Sequence, residues 1–509
     1  MQFRSGLLVA TLVVASGGMA LGADVAAAAS RQPVVLVGSA PGSWSVTAYV
    51  DPHPQRHVEG PVRHPQVAAL RAGCAEARGG RESESAIGEG IVSLTLSAPG
   101  TTWASSTKIS VDVDVQVDGR GAQQIVLFQG AQPAVYQGYV GRLRTGSHCV
   151  IVKVDPKRSS DLAEPVVDVF GVSLGVVPRS SPAYLGLTHA PVMYGRTSSA
   201  QRDAQLITDV TQNPDANGKD TDLSYTVIWT REDVGDGTVP AYEWGLWGRM
   251  TDVETVLQEV VTPSGRIVKA AYLSCGCEKL PLYPDALPAP PIGSEYDAPY
   301  PASGTPAALG DHLVLRDATG NNDMSPYKTT GYRLQQVPVA GPADGQAREV
   351  VMDEHPWTYG ISNQDVARTT VESSDPRSLL AGGYPQYLIV DLDVNATGTK
   401  SVAVGVQLRG DATWWTNDYA QTAGIPTTFP FYTGGHGRTV IKLPAGWHSK
   451  QISALRLVLN GRIGGPTPKL TSRPVIHLIE VTDDYSVRMR RLPKLTVTTG
   501  TQLLPGLPI

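Results

Sequence analysis

Between Ile109 and Val117 apolar and polar residues alternate without a break. Ile109, Val111, Val113, Val115 and Val117 stand against Ser110, Asp112, Asp114 and Gln116. A side-chain period of two fits a strand with one buried and one wet face, and does not fit a helix. After Gly119-Arg120-Gly121 the run Ile125-Val126-Leu127-Phe128 resumes as a more buried strand. Cys149 to Val154 is another, introduced by Gly146-Ser147-His148. Short strands separated by turn residues predict a sandwich. Charged residues make up only 17% of the chain, against 53 Gly and 39 Pro, which suits strands and loops better than helical bundles.

Strand-like runs return near the C-terminus, in Tyr387 to Val394, Val402 to Leu408, which alternates, Val440 to Leu443, Leu455 to Leu459 and Val475 to Val481, and predict a second sandwich. Between the two regions lie the strand Tyr225 to Thr230, a further strand from Arg266 to Leu273, and a proline-rich stretch from Leu280 to Pro306. Eight prolines there predict an extended wrapped loop or linker. The fold class expected is mainly β, a multi-domain β-sandwich architecture with a long proline-rich loop. A 509-residue chain exceeds one hydrophobic core. The division expected is a signal peptide over 1–30, an N-terminal β-sandwich over 31–175, a central β-rich domain over 176–380, and a C-terminal β-sandwich with a tail over 381–509.

The first thirty residues run from a positive charge at Arg4, through an apolar core from Leu7 to Val14, to small residues ending in Ala26 to Ala29. That order marks a cleavable secretory signal. The apolar core is shorter than the ~20 residues a membrane span needs. A secreted, extracellular protein with no membrane span is expected. The net charge of −5 offers no electrostatic case for nucleic acid as a partner. Four cysteines in an exported chain predict disulfides. Cys74 and Cys149 fall in one predicted domain and are expected to pair. Cys275 and Cys277 flank a single glycine, an arrangement that suits a disulfide or bland thiols better than a metal.

Chemistry is expected where the Trp229 strand ends. Glu232 and Asp233 follow it, with Asp236 in a glycine-flanked turn. A second acidic group, Asp252 and Glu254 with Arg249, follows an aromatic segment carrying Trp244 and Trp247. A hairpin would bring the two groups together. Paired carboxylates beside aromatic rings are the equipment of glycoside hydrolysis, and the same oxygens could instead chelate calcium. The structural alternative has Glu232 and Asp233 ending a strand, with ion pairs to Arg231 or Arg249. Thr251-x-x-Glu254 also matches a helix capping box. His189 in His-Ala-Pro, and His312 between Asp311 and Asp317, are candidates for oriented imidazoles or metal ligands, or for histidines bonded to a backbone carbonyl. Trp414-Trp415 is a sugar platform if exposed and core if buried. No H-E-x-x-H, G-x-S-x-G or phosphate-loop pattern is present.

The stretches His189-Ala-Pro-Val-Met-Tyr-Gly-Arg196, Glu232-Asp233-Val-Gly235, Trp247-Gly-Arg-Met-Thr-Asp252-Val-Glu254 and Pro356-Trp-Thr-Tyr359 resemble a group of secreted bacterial and fungal proteins. That resemblance covers about residues 184 to 490 and implies one shared site without naming an activity. The order His-Ala-Pro, strand, Gly-Arg-x-x-Asp-x-Glu is more remotely similar to vacuolar sorting-associated and necrosis-inducing toxin-like families. Their Gly-His-Arg-His-Asp-Trp-Glu motif loses its histidines and Trp in residues 248 to 254 here.

The leading expectation is a secreted enzyme acting on an extracellular polymer, foremost a polysaccharide, by carboxylate acid/base chemistry. Its catalytic candidates are Glu232, Asp233, Asp252, Glu254, His189 and Arg249. Trp244, Trp247, Trp414, Trp415 and His312 are the candidates for substrate contact. Calcium is the one cofactor the acidic residues suggest. The alternatives are a non-catalytic glycan- or surface-binding protein and a toxin-like effector.

Overall fold

The computed structural model describes residues 34–37, 43–50, 87–144, 146–160, 162, 165–177, 179–196, 203–231, 248–273, 298–299, 312–318, 322–326, 333–334, 337–341, 349–372, 383–417, 429–430, 435–461, 464–483, 485–490 and 494–501. The chain is mainly β, in several separate sheets. The N-terminal segment read as a signal, Cys74, Cys275 and Cys277 lie outside the described residues, as does the proline-rich stretch apart from Ala298–Pro299. Cys149 is disulfide-bonded, and its partner is not among the described residues.

Two four-stranded sheets face each other at the N-terminal end. One has the order Val34–Val37, Val166–Val177, Ile87–Ser97, Ala134–Arg144. The other runs Ser43–Val50, Gly146–Asp155, Val111–Val117, Arg120–Leu127. Val111, Val113, Val115 and Val117 all point into the shared core, as the alternation requires. Burying one such side chain stabilises by roughly 1.5–3 kcal/mol. Asp112 on the opposite face is also buried. Its backbone N–H donates to Ser159 Oγ, and those of Ile109 and Ser110 donate to Ser160 Oγ. A serine pair thus satisfies the backbone where this strand starts.

The central part holds a six-stranded sheet in the order Ala298–Pro299, Ile267–Tyr272, Asp252–Val261, Thr221–Trp229, Gln205–Pro214, Val339–Ala340. A small sheet built around Val192–Tyr194 and Val314–Asp317 covers one face of it. The C-terminal part is a second pair of sheets. Tyr387–Val394 lies between Gly435–Lys442 and Val475–Val481 in one. Thr399–Leu408 lies between Trp414–Thr416 and Ile452–Gly461 in the other. Leu388, Val390 and Leu392 meet Val404, Val406 and Leu457 between them.

One element was not expected. Trp357–Glu372 is a 16-residue helix. Its Thr, Gly, Ser and Asn residues are weak helix formers and show no apolar stripe, so its stability comes from packing. Tyr359 and Ile361 join a hydrophobic cluster that also takes in Val115, Ile228, Val253, Ile389 and Ile479. All three parts of the chain therefore contribute to one continuous core. Among the described residues no helix is long and apolar enough to cross a membrane.

Candidate functional site

Thr221–Trp229 and Asp252–Val261 pair antiparallel, with Trp229 opposite Asp252 and Val227 opposite Glu254. Directly paired residues share a face. Asp252 and Glu254 therefore point with Trp229 and Val227 toward the cluster of Leu313, Leu315 and Met324. The intervening Ile228 and Val253 point the other way, into the continuous core. The expected antiparallel pairing is present, while Glu232, Asp233, Asp236, Trp244 and Trp247 lie outside the described residues. The capping-box expectation at Thr251 is corrected, because a strand begins at Asp252 and no helix does.

The described acids are deep. Asp252 is 1% exposed and Glu254 9%. Asn322 Nδ2 donates to Asp252 Oδ2 at 2.9 Å and lies 3.4 Å from the Arg231 carbonyl oxygen, so one amide ties the end of one strand to the start of the next. Asn322 holds φ +53°, a left-handed conformation that Asn tolerates better than most residues.

Beyond the β-bulge at Tyr225/Thr226, Leu223 faces Glu259 on the same side of the sheet. Glu259 Oε2 lies 3.1 Å from His189 Nδ1, and both side chains are fully buried. His189 closes the short helix Tyr184–Thr188, its backbone N–H donating to the Leu185 carbonyl. The Tyr225 hydroxyl donates to the Gly186 carbonyl at 2.8 Å. Burial first, and then the Glu259 charge, raise the ionisation of that hydroxyl well above the usual tyrosine range. Nothing in the sequence marked Glu259, which looks like any polar position on an alternating strand.

Arg249 belongs elsewhere. Its Nε donates to Glu349 Oε1 at 3.1 Å, and its guanidinium also reaches the Thr251 carbonyl. Met250 beside it packs into the continuous core, on the opposite side from Asp252. Gly248 is required just before it, at φ +65°, where a Cβ would come within 3.2 Å of Arg438 and Val440. The structure thus groups Asp252 and Glu254 on one face, with His189 and Glu259 further along it, and places Arg249 behind the sheet.

His312 is 3% exposed, and its Nδ1 lies 2.7 Å from the Ala190 carbonyl oxygen. A carbonyl only accepts, so the proton is on Nδ1. The backbone-bonded reading of this histidine is the one realised. Its ring packs on Tyr139, whose hydroxyl donates to the buried Glu89, which also accepts from Arg142 Nε. Burial depresses the basicity of His312; the Ala190 carbonyl and Glu89 partly oppose this, while His189 and Arg333 add to it. The neutral form therefore suits the fold. A group depressed on folding contributes stability above its unfolded value and loses it as pH falls. The melting temperature is expected to drop as pH falls below about 6.5, the free-histidine value. His312→Gln should flatten that slope in a thermal melt series; an unchanged slope would show that His312 does not control it.

Trp414 and Trp415 have opposite fates. Val406 pairs with Trp415 and Gln407 with Trp414. Val406 is core, so Trp415 packs inward, and its Nε1 donates to Asp411 Oδ2 at 3.0 Å. Trp414 lies on the outer face with Gln407, Gly405 and Thr416. The Arg456 guanidinium stacks over its ring, 4.5 Å from the centroid.

Among the described residues no group of three or more His, Cys, Asp or Glu could hold a metal ion. Asp252, the described member of the suggested calcium set, is engaged by Asn322. No family model matches the chain, and no curated protein matches it either.

Proposed function

We propose that the protein is a secreted glycan-binding protein whose contact surface is the outer face of the C-terminal sheet Trp414–Thr416, Thr399–Leu408, Ile452–Gly461. The observation that carries this is the Trp414–Arg456 stack. The half-buried indole belongs to none of the described hydrophobic clusters and shares its sheet face with Gln407, Thr416 and Arg456. Gly405 lies beneath the stack, where a Cβ would come within about 3.1 Å of Arg456 and Thr416, so the missing side chain lets the guanidinium lie close to the sheet. A planar indole held by a guanidinium suits the apolar face of a sugar ring, and Gln407 and Thr416 alongside supply hydrogen bonds. Asp252 and Glu259 fit this reading, being buried partners of Asn322 and His189.

The test is binding of the purified protein to a panel of extracellular polysaccharides, with reducing ends assayed in the same samples. Trp414→Ala should weaken binding by about 2 kcal/mol, roughly 30-fold, with the melting temperature unchanged. Binding that survives Trp414→Ala, or no binding to any polymer, rules the surface out. A second reading, the carboxylate enzyme, draws support from the pairing of Trp229 with Asp252, which sets an aromatic ring directly opposite an acid. Released reducing ends, lost in Glu254→Gln, would favour it.

A further inference from the structure

A groove of about 600 Å³ opens where the three parts of the chain meet, far along the sequence from Trp414. Trp357, Ile361 and Gln364 of the long helix form one side. Gln129 comes from the N-terminal sandwich, and Tyr485 and Val487 from the hairpin that ends the Val475–Val481 strand. Its size is in the range of small-ligand sites.

Both aromatic walls are fixed before any ligand arrives. Trp357 stacks on Phe128, centroids 5.7 Å apart and planes within 4°. Tyr485 holds φ +60° in a turn whose N–H donates to the Thr482 carbonyl, and its hydroxyl accepts from Asn363 Nδ2 at 3.2 Å. Its ring lies against Gly360, where a Cβ would sit 3.1 Å from it, so the helix needs glycine there to receive the tyrosine. Rigid walls lower the entropic cost of binding. The amides are free to respond. Gln129 has no side-chain partner among the described residues, and Gln364 only accepts a long 3.5 Å bond from Thr102.

We infer that this groove binds a short, neutral oligosaccharide. Among the described residues no charged side chain lines it, so it offers nothing to a uronate, a sulfate or a charged peptide. Each glutamine amide both donates and accepts, which matches sugar hydroxyls that do the same. A proline-rich peptide presents carbonyls and needs a donor, usually an indole N–H. Trp357 Nε1 is buried and cannot supply it, which leaves that work to the glutamine amides that a sugar would engage with both donor and acceptor. The ligand class rests on the glycan reading above, but the place is separate and fails separately.

The purified full chain is titrated calorimetrically with hexamers of β-1,4-linked glucose, mannose and N-acetylglucosamine, and with a galacturonate hexamer and a proline decamer. At least one neutral hexamer should bind, and galacturonate about tenfold more weakly or not at all, since the groove has no cation to match it. Gln364→Ala and Gln129→Ala should each weaken the neutral hexamer about tenfold, the value of a lost polar contact. Gln364→Met, of similar length, serves if the alanine variant melts early. Val268→Ala, at an exposed position of the central sheet outside the groove, should leave hexamer affinity unchanged. Hexamer binding lost in Trp414→Ala but kept in both glutamine variants overturns the groove while leaving the sheet face standing. Stronger binding of the proline decamer, or no neutral hexamer bound, overturns it outright.

Discussion

Replacing Arg438 by methionine is expected to remove about 3–5 kcal/mol of stability, the cost of leaving a buried charge without its partner. Arg438 is 1% exposed and sits between two carboxylates. Its Nε and Nη2 donate to Asp391 at 2.6 and 3.0 Å, and Nη2 also donates to Asp353 at 2.8 Å. Nη1 donates to the Tyr359 hydroxyl at 2.9 Å, and that hydroxyl donates in turn to Asp353. Asp391 is the cross-strand neighbour of Arg438, whereas Asp353 comes from the short helix Val350–Glu354 and Tyr359 from the long one. One guanidinium therefore fastens both helices to the C-terminal sandwich.

The charges do not balance, since two acids share one cation. Burial pushes the Asp353 carboxyl above the usual carboxylate range; Arg438 and Tyr359 pull it back, and Asp391 pushes it further up. Methionine fills much of the arginine stem's volume, so the loss measured is mainly electrostatic. Asp391→Asn should cost less, because it leaves one acid against one cation. Guanidinium denaturation gives both numbers. A loss below ~1 kcal/mol for Arg438→Met, the value of an exposed ion pair, would show that the cluster does not hold the helices. The groove depends on this fastening, since Trp357 and Gln364 lie on the helix that Tyr359 anchors.

The strands of both sandwiches were legible because period two is a local signal. Tyr387–Val394 and Val475–Val481 begin and end where their apolar runs do. The helix Trp357–Glu372 was not legible, because its partners are the rings of Phe128 and Tyr384, remote in sequence. The two neighbouring tryptophans show the same limit. Adjacent strand residues must face opposite ways, so one of them had to be core. Which one depends on Val406 meeting Trp415, a fact of pairing between strands. The depth of the acids depends on the same kind of distant pairing. Asp252, Glu254 and Glu259 lie on a face that the small sheet around Val192–Tyr194 covers, which turns polar positions into buried ones.

Asn322 carries the other large expected effect, and it separates the two uses of Asp252. Asn322→Ala should destabilise the protein by roughly 3–5 kcal/mol. About 1–2 kcal/mol comes from forcing a Cβ residue without a local hydrogen bond to hold φ +53°. About 1.5–3 kcal/mol comes from the lost hydrogen bond to a buried carboxylate. Asn322→Gly removes the first part and keeps the second, so it should be the milder variant by about 1 kcal/mol, allowing for glycine's greater freedom when unfolded. Urea melts of the pair measure the split directly. If Asp252 is a structural acid, Asp252→Asn falls in the same range as the Asn322 variants, and a double variant costs less than the sum, since both changes break one contact. A positioning role for Asn322 toward a reacting carboxylate predicts the reverse. The melts of the Asn322 variants would then barely move, while reducing-end release, once found on any polymer, would fall in both. With Asp252 1% exposed and its oxygen held at 2.9 Å, the geometry favours the structural outcome.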